Sequence, residues 1–409
     1  MAHTLPAGDW LALRRAVPHG SLPLCGGGTG RGVTTKAKSV GTPLPIPPPQ
    51  GGREESAACT LPNRKRNTRC TFAKTVLSIF ALLISPAHAD DIADFYRDKT
   101  VTIMVSAGAG GGYDTLARTL ARFLTRHLPG NPIILVRNMA GGGGLAAANA
   151  LFSGAETNGT YIGLLQSQTP FDPLLGAREA RFDATKFNWL GTPSVETGLF
   201  VLWNAVPIDT LSQAKERDIT VGVAGANSTP AFHARLLNDV FGLKLRIKTG
   251  YPALTDAFYG LERGELEGYT SVIYSALQAT KSDWLPQKKI KALLQYGPEK
   301  RAELAGVPSA RETAQNEEDR ILLDAAFAPL ALGRPLVMPP GVPTDRLAAM
   351  RKAVMETFAD PGFISESARL SLGPSEPHNG EALQEVVART YAAPPGVLER
   401  LRRLHTAPR

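Results

Sequence analysis

The stretch Thr100–Leu128, TVTIMVSAGAGGGYDTLARTLARFLTRHL, decides the fold. Val101, Ile103 and Val105 alternate as a strand does, and Leu116, Leu120, Phe123 and Leu124 recur at helical spacing. Between them lies a loop, Ala107, Gly108, Ala109, Gly110, Gly111, Gly112 and Tyr113, placed at a helix N-terminus. Its glycines allow positive φ and let backbone N–H groups come close to a ligand. The free N–H groups of a first helical turn and the helix dipole both favour an anion.

The same plan recurs twice. Pro132–Val136 reads as a strand, Asn138, Met139, Ala140 and Gly141–Gly144 as a second glycine loop, and Leu145–Phe152 as an alanine-rich helix. Ile219–Val223, the loop Ala224–Thr229 and the helix Pro230–Phe241 form a third unit, with Ser228 or Thr229 placed to cap it and Pro230 at its first position. A further strand, Tyr161–Leu165, ends in Gln166-Ser-Gln168, which either orients a ligand or forms a solvated loop. In open α/β sheets ligands bind outside the carboxyl ends of the strands, so these loops are expected at one cleft.

Charge narrows the function class. The 409 residues carry +8, yet residues 1–89 hold eleven Lys or Arg against three Asp or Glu, which is the whole excess. From residue 90 onward there are 34 of each sign, so no electrostatic case exists for nucleic acid or an anionic membrane. Arg64, Lys65, Arg66, Arg69 and Lys74, then Val76–Ile84, then Ala87-His-Ala89 read as a signal peptide over 64–89, cleaved after Ala89 for export to the periplasm. Residues 1–63, rich in Gly and Pro, read as a mis-assigned start or a disordered extension. Cys25, Cys59 and Cys70 all precede the cleavage point, so the mature chain has no thiol chemistry.

Strand candidates at Phe187–Gly191, Gly198–Trp203, Glu267–Ile273 and Ile290–Gln295 alternate with helices, which predicts a two-domain α/β fold with parallel-rich sheets. The expected division is residues 90–203 and 329–409 in domain 1 and 204–328 in domain 2. From Phe327 the chain is expected to cross back as an extended segment, and Thr344 to cap a helix ending near Asp360-Pro-Gly362. Two crossings make a hinge, and a hinge suggests closure on a ligand.

Catalytic motifs are weak. The dinucleotide fingerprint fails at Tyr113, and Gly141, Gly143 and Ala146 match only its permissive form. Neither Ser106 nor Ser228 sits in G-x-S-x-G, and His127, His233, His378 and His405 lack ligand spacing, so no metal or cofactor is expected. They read as surface or packing residues, with His233 alone placed to face the cleft. Asp114 reads as a structural helix-start residue, the alternative being contact with an amine. Tyr113, Tyr251 and Tyr274 line a pocket or pack.

These residues together resemble a family. The signal peptide, Ala107–Asp114 followed by Leu116-Ala-Arg118, Arg137–Gly144, Gly225–Pro230, Tyr251–Asp256 with Gly264–Gly268, and Pro339–Pro343 are similar to the Bug or TctC-type receptors of tripartite tricarboxylate transporters. The resemblance implies a monomeric Venus-flytrap protein. It would bind a small organic carboxylate between two lobes and deliver it to large and small membrane subunits. By position it assigns the carboxylate to Ala107–Tyr113, Asn138–Gly143 and Ser228, Thr229 and Pro230. A first loop without proline and Tyr269-Thr270-Ser271 in place of a strand ending in Phe-Asp depart from the pattern, which implies a mono- or dicarboxylate rather than an amino acid. An exported enzyme acting on a carboxylate and a ligand-dependent sensor partner are the alternatives.

Overall fold

The computed structural model describes residues 88–370, 372 and 376–406. The expected extension and all but the last two residues of the expected leader lie outside the described residues. In chain order the first part is α1 (His88–Tyr96), β1 (Thr100–Val105), α2 (Gly112–His127), β2 (Ile133–Asn138), α3 (Leu145–Ser153), β3 (Tyr161–Leu164) and β4 (Asn188–Thr192). There follow β5 (Gly198–Trp203), α4 (Leu211–Ala214), β6 (Asp218–Val223), α5 (Thr229–Phe241), β7 (Lys244–Thr249), α6 (Leu254–Glu262), β8 (Gly268–Ile273), α7 (Tyr274–Lys281), β9 (Ile290–Tyr296), α8 (Ala310–Thr313) and α9 (Glu317–Leu332). The chain then returns as β10 (Leu336–Met338), α10 (Thr344–Ala359), α11 (Pro361–Arg369), β11 (His378–Asn379), α12 (Gly380–Tyr391) and α13 (Pro395–His405).

Two mixed sheets result, β11-β4-β10-β3-β1-β2 and β7-β6-β8-β5-β9. In the first, β1 pairs in parallel with β2 and β3, while β10 runs against both β3 and β4. In the second, β6 is parallel to β7 and β8, and β5 runs against β8 and β9. β10 and β5 adjoin the crossings and enter each sheet from the far lobe, while β11 adds an antiparallel edge to β4. Residues 193–197 join the end of β4 directly to Gly198, whose partners are Ile273 and Tyr296 at the ends of β8 and β9. The carboxyl edges of both sheets therefore open at one crossover.

Alternation explains the layers. Val101, Ile103 and Val105 pack with Leu116, Leu120 and Leu124 of α2, whereas Met104 turns to the other face with Leu145, Ala148 and Leu151 of α3. Each such buried side chain contributes roughly 1.5–3 kcal/mol over exposure. The second sheet is covered on one face by α5 and α9, and there Val397, Leu401 and Leu404 of α13 join Leu236, Leu237 and Phe241. The C-terminal helix, expected in the first domain with the rest of 329–409, thus packs over the second sheet.

The return crossing differs from the extended segment expected at Phe327. Helix α9 continues to Leu332 with Pro329 inside it, then stops at Gly333. Gly333 has φ +57°, and a Cβ there would lie 1.9 Å from Ser194 O, so the two crossings touch. Arg334 N donates to Thr192 Oγ1 at 3.0 Å, and Glu196 N donates to Leu330 O at 2.9 Å. Thr344 does not cap α10: Pro343 holds that position and Thr344 is the first helical residue. Asp360 ends α10 and caps α11, accepting from Gly362 N at 2.7 Å. Strand β7, with its exposed Lys244, Arg246 and Lys248, and helices α11 and α13 are additions to the sequence reading.

Candidate functional site

The first glycine loop is held by two side chains. Asp114 Oδ2 accepts from Gly110 N at 2.9 Å and from Arg118 Nε at 3.0 Å, and the buried carboxyl is lowered to about 2, first by Arg118 and also by the Gly110 N–H. Asn138 Nδ2 donates to Ala107 O at 3.1 Å. Asp114 serves the loop, as its structural reading requires. The N–H of Gly110, expected to point outward, is turned inward to Asp114. The helical ladder begins with Thr115 N to Gly111 O at 2.9 Å, so the N–H groups of residues 112–114 have no partner within the helix. Gly108, Ala109, Gly110, Gly111 and Gly112 are exposed.

Tyr113 closes one side. Its hydroxyl donates to Gly333 O at 3.4 Å and accepts from Ser167 N at 3.3 Å, and burial raises its pKa. Gln166 braces the loop from below, its amide donating to Ser106 O at 3.0 Å and its N–H to Ser106 Oγ at 2.8 Å. Gln168 stands near Asp172, a carboxyl that burial pushes up to about 6. The second loop is tied to the same segment, since Thr169 Oγ1 donates to Gly143 O at 2.9 Å. Gly144 has φ +104°, and a Cβ there would meet Thr169 Oγ1 at 2.5 Å. Gly141, Gly142 and Gly143 remain exposed, and Met139 packs on the α3 face.

The third loop is organised differently. Ser228 occupies the N-cap of α5, but its Oγ donates to Gly225 O at 2.7 Å and makes no side-chain cap. Thr229 is exposed, and Pro230 O accepts from Thr270 Oγ1 at 2.8 Å. Thr270 is fully buried by that contact and so does not face the cleft. Tyr251 is also buried, with its ring in the second sheet's core and its hydroxyl on Glu265 Oε2 at 2.9 Å, which removes it from the expected lining. Ser271 Oγ lies 2.5 Å from His233 Nδ1. The His233 ring is enclosed by Phe232, Tyr296 and Phe327, and burial lowers its pKa to about 4, so it is neutral at pH 7.

Three charged residues escape a reading by motif. Arg334 leaves one trace in the sequence, as a lone charge in the apolar run Ala328–Met338. Its Nη2 would be 4.0 Å from a Cβ on Gly112, at the start of α2, and among the described residues no carboxylate lies within 4.0 Å of its guanidinium. Its Nη1 donates to Leu372 O at 2.5 Å. Glu196, on the other crossing, accepts from Ser275 Oγ at 2.7 Å, and burial raises its pKa. Arg235 donates to Ala226 O at 2.8 Å, Leu404 O at 2.5 Å and His405 O at 3.1 Å, which pins the third loop to α13.

A cavity of about 530 Å³ shares none of these loops and lies beside α9 and α12. Among the described residues no group of three or more His, Cys, Asp or Glu is placed to hold a metal, and no helix is long and apolar enough to cross a membrane.

Against this geometry, a TctC solute-binding protein from Polaromonas superposes with a TM-score of 0.61 at 21% identity, covering 75% of this chain and 99% of that one. The chain has the fold of a TctC-type solute-binding protein. A UPF0065 protein of the TAR-I ttuE-ttuC' intergenic region of Agrobacterium vitis is 32% identical over 177 residues, 41% of this chain and 50% of its own length. The chain thus spans about half the length of that curated relative. MatC of Rhodopseudomonas palustris, solved with bound malate, is 19% identical over 75% of this chain and 99% of its own, with a TM-score of 0.47. No family model matches the chain. The TctC-type fold accounts for the paired α/β sheets.

Proposed function

We propose that this chain is an exported, non-catalytic receptor that captures a small organic carboxylate between its two lobes and delivers it to the membrane subunits of a tripartite tricarboxylate-type transporter. One observation carries the reading: the open first turn of α2 stands beside the Arg334 guanidinium, with no protein carboxylate within 4.0 Å among the described residues. Two positive features side by side favour an anion. Exposed Gly108–Gly112 and Gly141–Gly143, with Ser228–Pro230 on the other sheet, complete the proposed pocket. Ligand contacts on both sheets would favour a closed state, which a membrane partner can recognise. Periplasmic location follows from this role and from the leader read in the sequence.

The Ser271–His233 contact favours a second reading, an exported hydrolase. Against it, no carboxylate orients His233 among the described residues, and its ring is sealed by aromatics. Thermal-shift measurement of the full chain against mono-, di- and tricarboxylates tests both. A receptor is stabilised by one carboxylate that is recovered unchanged, and Arg334→Gln weakens that stabilisation. Consumption of the compound would establish an enzyme acting on the carboxylate, and no stabilisation by any carboxylate would remove the receptor reading.

A further inference from the structure

The cavity beside α9 and α12 is distinct in place and in chemistry from the glycine-loop cleft. Its volume of about 530 Å³ is within the range of small-molecule sites, roughly 300–1,000 Å³. One wall is aromatic: Tyr296 and Phe327, stacked on each other at 4.1 Å and 12°, both line it. Ile321 of α9 and Val386 of α12 add aliphatic surface, so the interior matches an aromatic ring.

The rim supplies a charge. Arg311 is paired with Asp324 at 3.0 Å, and Glu317 with Arg320 at 3.1 Å. Arg389, three residues from Val386 on the same face of α12, has only Glu385 at 3.7 Å, with both side chains about 70% exposed. Arg389 is therefore the rim charge most available to an incoming group, and exposed pairs of that length hold little energy. We propose that this cavity is a second binding site, for a small aromatic monocarboxylate whose ring lies against Tyr296 and Phe327 and whose carboxylate meets Arg389. Because α12 packs on β4 and Tyr296 ends β9, the occupant touches elements of both sheets.

Calorimetric titration of the full chain with 1-naphthoate and with its neutral isostere 1-naphthamide tests this. The expected result is naphthoate binding that falls about tenfold or more in Ile321→Trp, which fills the cavity. Arg389→Gln should weaken naphthoate roughly threefold and leave naphthamide unchanged. Arg334→Gln, in the other cleft, should leave both unchanged. The site is overturned by no naphthoate binding at about millimolar concentration, by binding that survives Ile321→Trp, or by loss in Arg334→Gln. Equal binding of the two compounds overturns the carboxylate assignment. Circular dichroism checks folding of Ile321→Trp; if it fails to fold, the exposed Arg389→Gln decides, with equal loss or equal retention of both compounds counting against the proposal.

Discussion

The first and third loops occupy equivalent places, each between a parallel strand and a helix at a carboxyl edge, yet they are held by different means. In the first, Asp114 reaches back four residues to Gly110 and four forward to Arg118. In the third, support comes from far along the chain: Thr270 to Pro230, Ser271 to His233, and Arg235 to Leu404 and His405. The local Asp114 lock makes the first loop, tied further through Asn138 and Tyr113, less dependent on distant packing. A long-range lock ties loop shape to the packing of β8 and α13, so the third loop should respond more to changes elsewhere in the fold.

The comparison breaks first at the crossing that both loops share. Gly333→Ala forces a Cβ onto Ser194 O at a positive φ, and a loss on the order of 4 kcal/mol or more is expected in urea unfolding, with both loops affected. A near-neutral result would mean that the crossings slide apart freely.

Acid should separate the loops next. His233 is held near 4 in the fold against an ordinary value of 6.5. Between those values the unfolded chain binds the proton and the folded chain does not, so stability is full above 6.5 and declines as pH falls toward 4, by about 3 kcal/mol in all. Unfolding measured at pH 7 and pH 4 should show this decline in the wild type and a flatter profile in His233→Leu.

Arg235→Ala sharpens the contrast. Losing its charged hydrogen bonds should cost about 2 kcal/mol and speed amide exchange in residues 224–230, while residues 107–112 stay as protected as before. Equal change in both segments would contradict independent locks. Asp114→Asn is the converse and smallest case. About 1 kcal/mol is expected after solvent screening, with faster exchange confined to the first loop. Because the Asp114 carboxyl is lowered to about 2, its contribution is complete above 3.8 and disappears as pH falls through 2, so the variant and wild type should converge there.

Legibility followed sequence distance. The strand–glycine–helix units and most strands were readable because periodicity is a local property, whereas Asp114 reads from its position as a helix-start residue and only the fold adds its reach back to Gly110. Strand β7 escapes the reading although KLRIKT alternates polar and apolar residues, because its basic face resembles a solvated loop. Thr270, within β8, and Tyr251, just past β7, show the opposite limit: a ligand would be expected at each, and each is committed to a partner that only folding brings near.

The sequence alone determined the α/β class, the glycine loops at helix starts and the neutrality of the chain beyond residue 89, because composition and period are written in adjacent residues. Tertiary structure decided the rest: α9 carries the return crossing, α13 packs with the second sheet, and Arg334 reaches Gly112. It decided them because burial and unpaired charge depend on which distant segments meet, and residue spacing does not encode that.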